Sequence, residues 1–248
     1  MTEQRRDLAS FFRAFAPMLE LTSDVNRVER EFGASPSGTS RMGFYGVLAR
    51  RTRLLTLGDM CPATRYAVQS SKGPAWMDLV LRYAESHPPS HADPNRFAEG
   101  FSEFIASERQ RGFPLPSFLE ELAEYEFTLW EVGITDFQPT LSDPGLDRTI
   151  RVRQYSANVA DFVTEFHAGH APEAPAAGPV IVLIYQHTRS GYPRYFFPSA
   201  AGLAALARRA GKSLPKATFD EDTLSSAEQE LVEYGVLVGA AQHSQVPY

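Results

Sequence analysis

Six histidines and one cysteine are the residues of this 248-residue chain from which metal or nucleophilic chemistry would have to be built. His167-Ala168-Gly169-His170 and His87-Pro88-Pro89-Ser90-His91 each place two imidazoles close enough to chelate one ion. A metal centre, however, needs three or four ligands held by ordered outer partners. The first pair falls where a helix pattern runs out into a linker, and the second straddles Pro88-Pro89. No HExxH, CxxC or His-x-Asp run accompanies them, so these histidines read as capping or solvent-facing groups and no metal is expected in this chain. Cys61 precedes Pro62 at the start of a helix pattern, a position that lowers a thiol pKa when cations or amide groups face it. Nothing in the sequence assigns it a base, and a buried cysteine behaves as a small hydrophobe. GxSxG, Walker and dinucleotide fingerprints are absent. The chain does not read as a stand-alone catalyst.

What remains is binding surface, and it centres on Pro179 to Pro198. Val180-Ile181-Val182-Leu183-Ile184-Tyr185 is an apolar, mostly β-branched run. It is separated from Tyr192-Pro193-Arg194-Tyr195-Phe196-Phe197 by a short polar segment containing Gly191, which predicts a β-hairpin. A lone hairpin is marginal in water, so it must gain strands or pack on helices. One source of a further strand is a guest peptide, held through main-chain hydrogen bonds and side-chain pockets. The residues placed at such a site are Arg194, Tyr195, Phe196 and Phe197, with Arg208 and Arg209 on the next helix complementing acids of the guest. On this reading Phe196→Asp weakens peptide capture and leaves the fold intact. The opposite arrangement, with this strand inside the sheet and both arginines in water, stays open at this level.

Helical spacing accounts for most of the chain before the hairpin. Leu8, Phe11, Phe12, Phe15, Met18 and Leu19 predict a helix over residues 4–20, with Pro17 inside it. Val25, Val28 and Phe32 predict a second, opened by Ser23 or Asp24. After the loop 33–40, Tyr45, Leu48 and Leu55 line one face of a helix expected to break near Gly58-Asp59. Further helices are expected behind Pro62, from Trp76 to the residues before Pro88-Pro89, behind Asp93-Pro94, and behind Pro116. Their aromatic stripes read as core. Thr149 to Tyr155 alternates apolar with basic residues as a half-buried strand would. A short helix from Val159, an Ala/Pro segment at 171–178, the hairpin and two closing helices complete a β-α-β-β-α-α order. The fold class is therefore α+β: a helical N-terminal bundle, then a winged-helix-like domain with a small antiparallel sheet. The expected divisions are residues 1–40, a helical extension; 41–133, a helical domain; 134–147, a linker; and 148–240, the α+β domain.

No stretch approaches the roughly 20 apolar residues of a membrane span. No signal-peptide pattern opens the chain, and the single cysteine fits a reducing compartment, so the expected location is the cytoplasm. The net charge of −6 is shared between both halves, which disfavours phosphate-driven nucleic-acid binding. Arg41, Arg50, Arg51 and Arg53 form a local basic cluster, and Glu120, Glu121, Glu124, Glu126 and Glu131 an acidic one. Both read as solvated helix faces.

Several segments, in order, resemble one protein family. They are Arg41-Met42-Gly43-Phe44-Tyr45 followed by Leu55, Cys61-Pro62-Ala63-Thr64-Arg65, and Tyr83-Ala84-Glu85-Ser86-His87-Pro88-Pro89. Phe97 to Phe104 and Leu119 to Glu126 follow. Together they are similar to HvfC/BufC-type proteins, which carry an older label of DNA-binding and serve as partner subunits of multinuclear non-haem iron-dependent oxidative (MNIO) enzymes. The methanobactin-biosynthesis partner subunit is a more distant relative. The likeness spans residues 41–132 well and 149–238 by element order; residues 1–40 have no counterpart, and Cys61 stands where an aromatic is usual. The resemblance implies a non-catalytic subunit whose helical domain docks on a TIM-barrel iron enzyme as a heterodimer. It implies docking residues Arg41, Tyr45, Pro62, Arg65, His87, Pro88 and Pro89. It further implies an α+β domain that holds the leader of a ribosomally made precursor peptide (RiPP biosynthesis), with the iron in the partner and no cofactor, nucleic acid or membrane bound here. A winged-helix DNA-binding regulator is the alternative reading.

Overall fold

In the computed structural model, the described residues are 8–19, 24–34, 36, 38–88, 91, 93–140, 142–212 and 219–239. The expected elements largely form where spacing and caps place them. Helix α1 is Leu8–Leu19, with Pro17 in its last turn. Helix α2 is Val25–Phe32, its first turn capped by the Asp24 carboxylate accepting from the Arg27 amide; Ser23 lies outside the described residues. Helix α3, Thr39–Met60, runs through Gly58-Asp59 without the expected break and ends at Cys61. A single glycine costs a helix only about 1 kcal/mol, and buried Leu57 and Met60 hold this last turn in place. Pro62 then opens α4, Pro62–Ser70, at a position where its missing amide hydrogen costs nothing.

Helix α5 is Trp76–Ser86, and a 3₁₀ turn, Pro94–Ala98, precedes α6, Phe101–Gln110. The expected single helix behind Asp93-Pro94 is thus two elements, divided at Gly100, whose φ of 86° favours glycine. Tyr83, Phe97, Phe101 and Phe104 pack ring against ring in the core there. Glu108 is fully buried, yet it is paired with Arg82 and Arg111, which removes the cost of an isolated buried carboxylate.

Helix α7 is Leu119–Gly133. Packing divides the chain into two compact units, Met1–Ala123 and Glu124–Tyr248, so the division falls inside α7 and ahead of Gly133. The cause is visible in the second unit, where Glu124 and Tyr125 bond and pack with the strands. That unit continues with a short helix α8, Leu146–Thr149, strand β1, Ile150–Ala157, helix α9, Val159–His167, and strand β2, Ala177–Gln186. Strand β3, Pro193–Phe196, and helices α10, Ala200–Arg209, and α11, Glu221–Glu233, complete it.

The hairpin is present. β2 is the centre of a three-stranded antiparallel sheet of order β1-β2-β3. On one face Ile150, Leu183 and Tyr185 join Ala205, Leu206, Leu231 and Leu237 in a core with α10 and α11. The other face carries Arg151, Arg153, Tyr155, Val182, Ile184 and Tyr195, because side chains alternate across the pleat. The chain is therefore α+β, a helical first half followed by a small sheet with helices. Among the described residues no helix is long and apolar enough to cross a membrane.

The hairpin loop is tied to the end of α11. The Thr188 amide donates to the Gly235 carbonyl at 2.8 Å, and Gly235 has a φ of 72°. A side chain at 235 would also run into the His187 ring. Gly235→Ala therefore combines backbone strain with a steric clash, and urea unfolding should show a loss of about 1–3 kcal/mol. An unchanged midpoint would mean that the loop is not held there.

Candidate functional site

Strand β1 reverses the expected polarity. Its arginines do not face water; they lie on the Tyr155 face, over acids of α7. The Glu124 carboxylate accepts from Arg153 Nε at 2.6 Å, from Thr128 Oγ1 at 2.9 Å and from the Tyr155 hydroxyl. Arg151 Nε lies 3.5 Å from Glu131. Val152, on the other face, is exposed. The α7 acids at 124 and 131 are thus anchors for the sheet and not a solvated face.

The two rims of the sheet differ. Pairing of Ile184 with Tyr195 and Tyr185 with Arg194, together with the His187 amide donating to the Tyr192 carbonyl at 2.9 Å, fixes the alternation of bonds. In an antiparallel pair every second residue turns its N–H and C=O outward. On β3 those residues are Pro193, which has a C=O but no N–H, and Tyr195, which has both. Among the described residues no backbone group bonds to this outer rim. β3 also stops at Phe196, opposite Leu183, so β2 from Ala177 to Val182 has no strand beside it on that side.

The rim of β1 is treated differently. Its outward carbonyls, of Ile150 and Val152, accept from Arg151 Nη1 at 3.1 Å and Arg153 Nη1 at 3.3 Å. Charged side chains folded over an edge are a standard way to blunt it.

Aromatic side chains flank the bare rim on both faces. The Tyr195 hydroxyl bonds to Thr164 Oγ1 at 2.7 Å, and its ring meets Tyr125 and Phe197. On the opposite face Phe196 packs on the core and lies 4.5 Å from the Tyr234 ring. Phe197 is 39% exposed, and Tyr192 and Tyr234 are more so. Phe196 is therefore the wrong place for a neutral probe of binding: an aspartate there would enter the core. Phe197 is the better one. Arg194 is exposed on the Phe196 face.

Arg208 and Arg209 do not join this rim. They end α10, a helix about 15 Å long, whose other end begins after Ser199. Arg208 is bound to Glu221 at 2.7 Å and Glu228 at 3.1 Å, and Arg209 to Glu228 at 3.3 Å. Arg209 instead borders a groove of about 710 Å³ beside β1, floored by Leu146, Ile150, Val152, Leu203 and Leu206. No sequence signal marked that groove, because its walls come from segments some 60 residues apart whose meeting depends on strand order.

The expected docking residues fall in three places of the first unit. Arg41 is exposed in the first turn of α3, and Tyr45 packs edge-on against Phe15. Pro62 begins α4, while Arg65 borders a hollow with Leu55, Trp76 and Met77. His87 closes α5, its ring stacked 4.5 Å from Tyr83, and with Pro88 it borders a small polar hollow that includes Arg53 and His91. Pro89 lies outside the described residues.

His170 and His187 have local roles. His170 pairs with Glu165 at 2.5 Å, and His187 Nδ1 accepts from the Arg189 and Ser190 amides within the hairpin turn. Among the described residues no three of His, Cys, Asp and Glu converge on one point. No family model matches the chain, and no curated protein matches it.

Burial pushes the phenols of Tyr155, Tyr125 and Tyr185 up, and at Tyr155 the Glu124 charge adds to the effect. The folded chain keeps these protons where the unfolded chain releases them, so the stability they lend is full below about pH 10 and falls above it. Alkaline titration followed by circular dichroism should show unfolding that begins above about pH 10. Tyr155→Phe should reduce that pH dependence; a profile identical to the parent's would contradict the assignment.

Proposed function

We propose that this chain is a non-catalytic subunit that captures a ribosomally made precursor peptide and presents it to an MNIO-type iron-dependent TIM-barrel enzyme. The observation that carries the peptide-capturing part is the bare outer rim of β3, with Tyr195 offering one N–H and one C=O. Aromatic side chains on both faces of the rim add pockets for alternate residues of an added strand, the arrangement that gives strand addition its specificity. The contrast with the blunted rim of β1 supports β3 as the edge that is kept open for use. The partner enzyme, its iron and the modification of the peptide rest on the family resemblance of residues 41–132. On this reading the iron chemistry belongs to the partner, and the present chain supplies position and affinity.

The reading as a DNA-binding regulator has less support. α11, the last helix of the sheet-bearing unit, carries Glu221, Asp222, Glu228, Glu230 and Glu233 and no base. The arginines that end α10 are neutralised by two of those acids. A helix that tracks phosphates needs the opposite charge.

The test is calorimetry with the leader segment of a candidate ribosomal precursor peptide drawn from the neighbouring genes. Phe197→Asp should weaken binding by roughly tenfold or more while thermal unfolding stays at the parent value. Phe196→Asp should instead lower the unfolding temperature, since that ring packs on the core. Leader affinity that survives Phe197→Asp would move the peptide away from β3, and no leader binding by the parent chain would reject the reading.

A further inference from the structure

Helix α3 is apolar on two opposite sides, and only one of them is covered. On the inner side Gly46 lies against Met18, and Leu57 and Met60 are buried. On the outer side Phe44, Val47, Leu48 and Leu55 are 55%, 60%, 39% and 49% exposed. Their spacing of three, four and eleven residues from Phe44 sets them in one arc of about 100° on the helix. Of the face expected from spacing (Tyr45, Leu48 and Leu55), Leu48 and Leu55 belong to this outer side and are turned to solvent. Arg51, seven residues from Phe44, falls in the middle of the same arc, and Arg41 and Arg50 are exposed beside it.

The charge is one-sided. Between Thr39 and Gly58 the helix carries four arginines and no acid. Arg53 is drawn inward, donating to the Leu19 carbonyl at 3.3 Å and lying over the Phe97 ring. Among the described residues Arg41, Arg50 and Arg51 have no ion-pair partner. Two α3 helices set face to face would bring their Arg51 side chains together, so a symmetric α3-to-α3 dimer is disfavoured by charge. A bilayer is disfavoured by the position of Arg51, which lies in the centre of the apolar arc and not at its margin. Duplex binding is disfavoured because three exposed arginines beside an apolar arc give few phosphate contacts, whereas duplex affinity rests on many.

We infer that α3 is a docking helix that lies in an apolar cleft edged with carboxylates on a partner protein, with Arg51 meeting a carboxylate at the centre. Helix-in-groove recognition uses anchors at this spacing, and a guanidinium shielded by surrounding apolar contacts is a frequent centre of binding energy. The inference rests on the proposed function, in which the partner is the iron-dependent enzyme, and it assigns the contact to the outer face of α3, beside which only Arg41 of the expected docking set lies, Tyr45 being packed on Phe15.

The experiment measures binding of the full chain to that purified enzyme by calorimetry, at low and at raised salt. Val47→Asp, Leu48→Asp and Arg51→Glu should each weaken binding by roughly tenfold or more, with Arg51→Lys milder than Arg51→Glu. Raised salt should weaken the parent complex, and Arg189→Glu in the hairpin turn should change nothing. Thermal unfolding of Val47→Asp and Arg51→Glu should match the parent, because both side chains face solvent. If the enzyme binds the parent and all three variants alike, the docking helix is wrong and the proposed function stands. If the parent binds no enzyme, both fall. Capture by phosphatidylserine vesicles or by duplex DNA that is lost in the same variants would overturn the inference in favour of a membrane or a nucleic acid.

Discussion

A three-stranded sheet has two rims, and each must be covered, blunted or used. Unpaired main-chain groups in a row are a template for any extended chain that passes. Here the central strand is almost wholly apolar and buried in its second half, so the sheet cannot be opened or slid without exposing Val182, Leu183 and Ile184. Register is thereby fixed. With register fixed, the outward groups of β3 are fixed as well, and they belong to Pro193 and Tyr195.

Coverage of the two faces sets the rest. Helices α10 and α11 and the turn after α11 supply an apolar lid to one face through Ala205, Leu206, Leu231 and Leu237. The other face is held by charge and hydroxyl groups, with Glu124 gathering Arg153, Thr128 and Tyr155 around one carboxylate. The same arginines that bind α7 also fold over the carbonyls of β1. One pair of side chains thus fastens the sheet to a helix and covers two carbonyls of one rim. The other rim has no such arginine, because Arg194 lies on the opposite face of its strand from Tyr195.

Much of this architecture is readable in the residues. A β-branched run, a Gly-containing turn and an aromatic run suffice for a hairpin, and the caps at Asp24 and Asp93 accept from amides in their first turns. Spacing also orders the elements of the second half from β1 onward and misses only the short α8 ahead of it. It does not say which face of a helix is covered when both are apolar, which is why Leu48 and Leu55 read as core although α3 turns them outward. Nor does it tell the wet side of a strand that alternates apolar with basic residues, since arginine is as well served by a facing glutamate as by water. The rim itself is illegible in sequence: a free N–H at Tyr195 follows from the pairing of Ile184 with Tyr195, and pairing is a long-range property.

Peptide capture by this chain requires that an extended peptide occupy the outer rim of β3. Amide hydrogen exchange, resolved by residue with and without the precursor leader, reads that occupancy directly. Strand addition there predicts that the Tyr195 amide, unbonded in the free chain, becomes strongly protected when leader is present, while the amides of β1 are unchanged. Protection that appears instead along β1 and α10, or a Tyr195 amide that exchanges equally fast in both states, would contradict it.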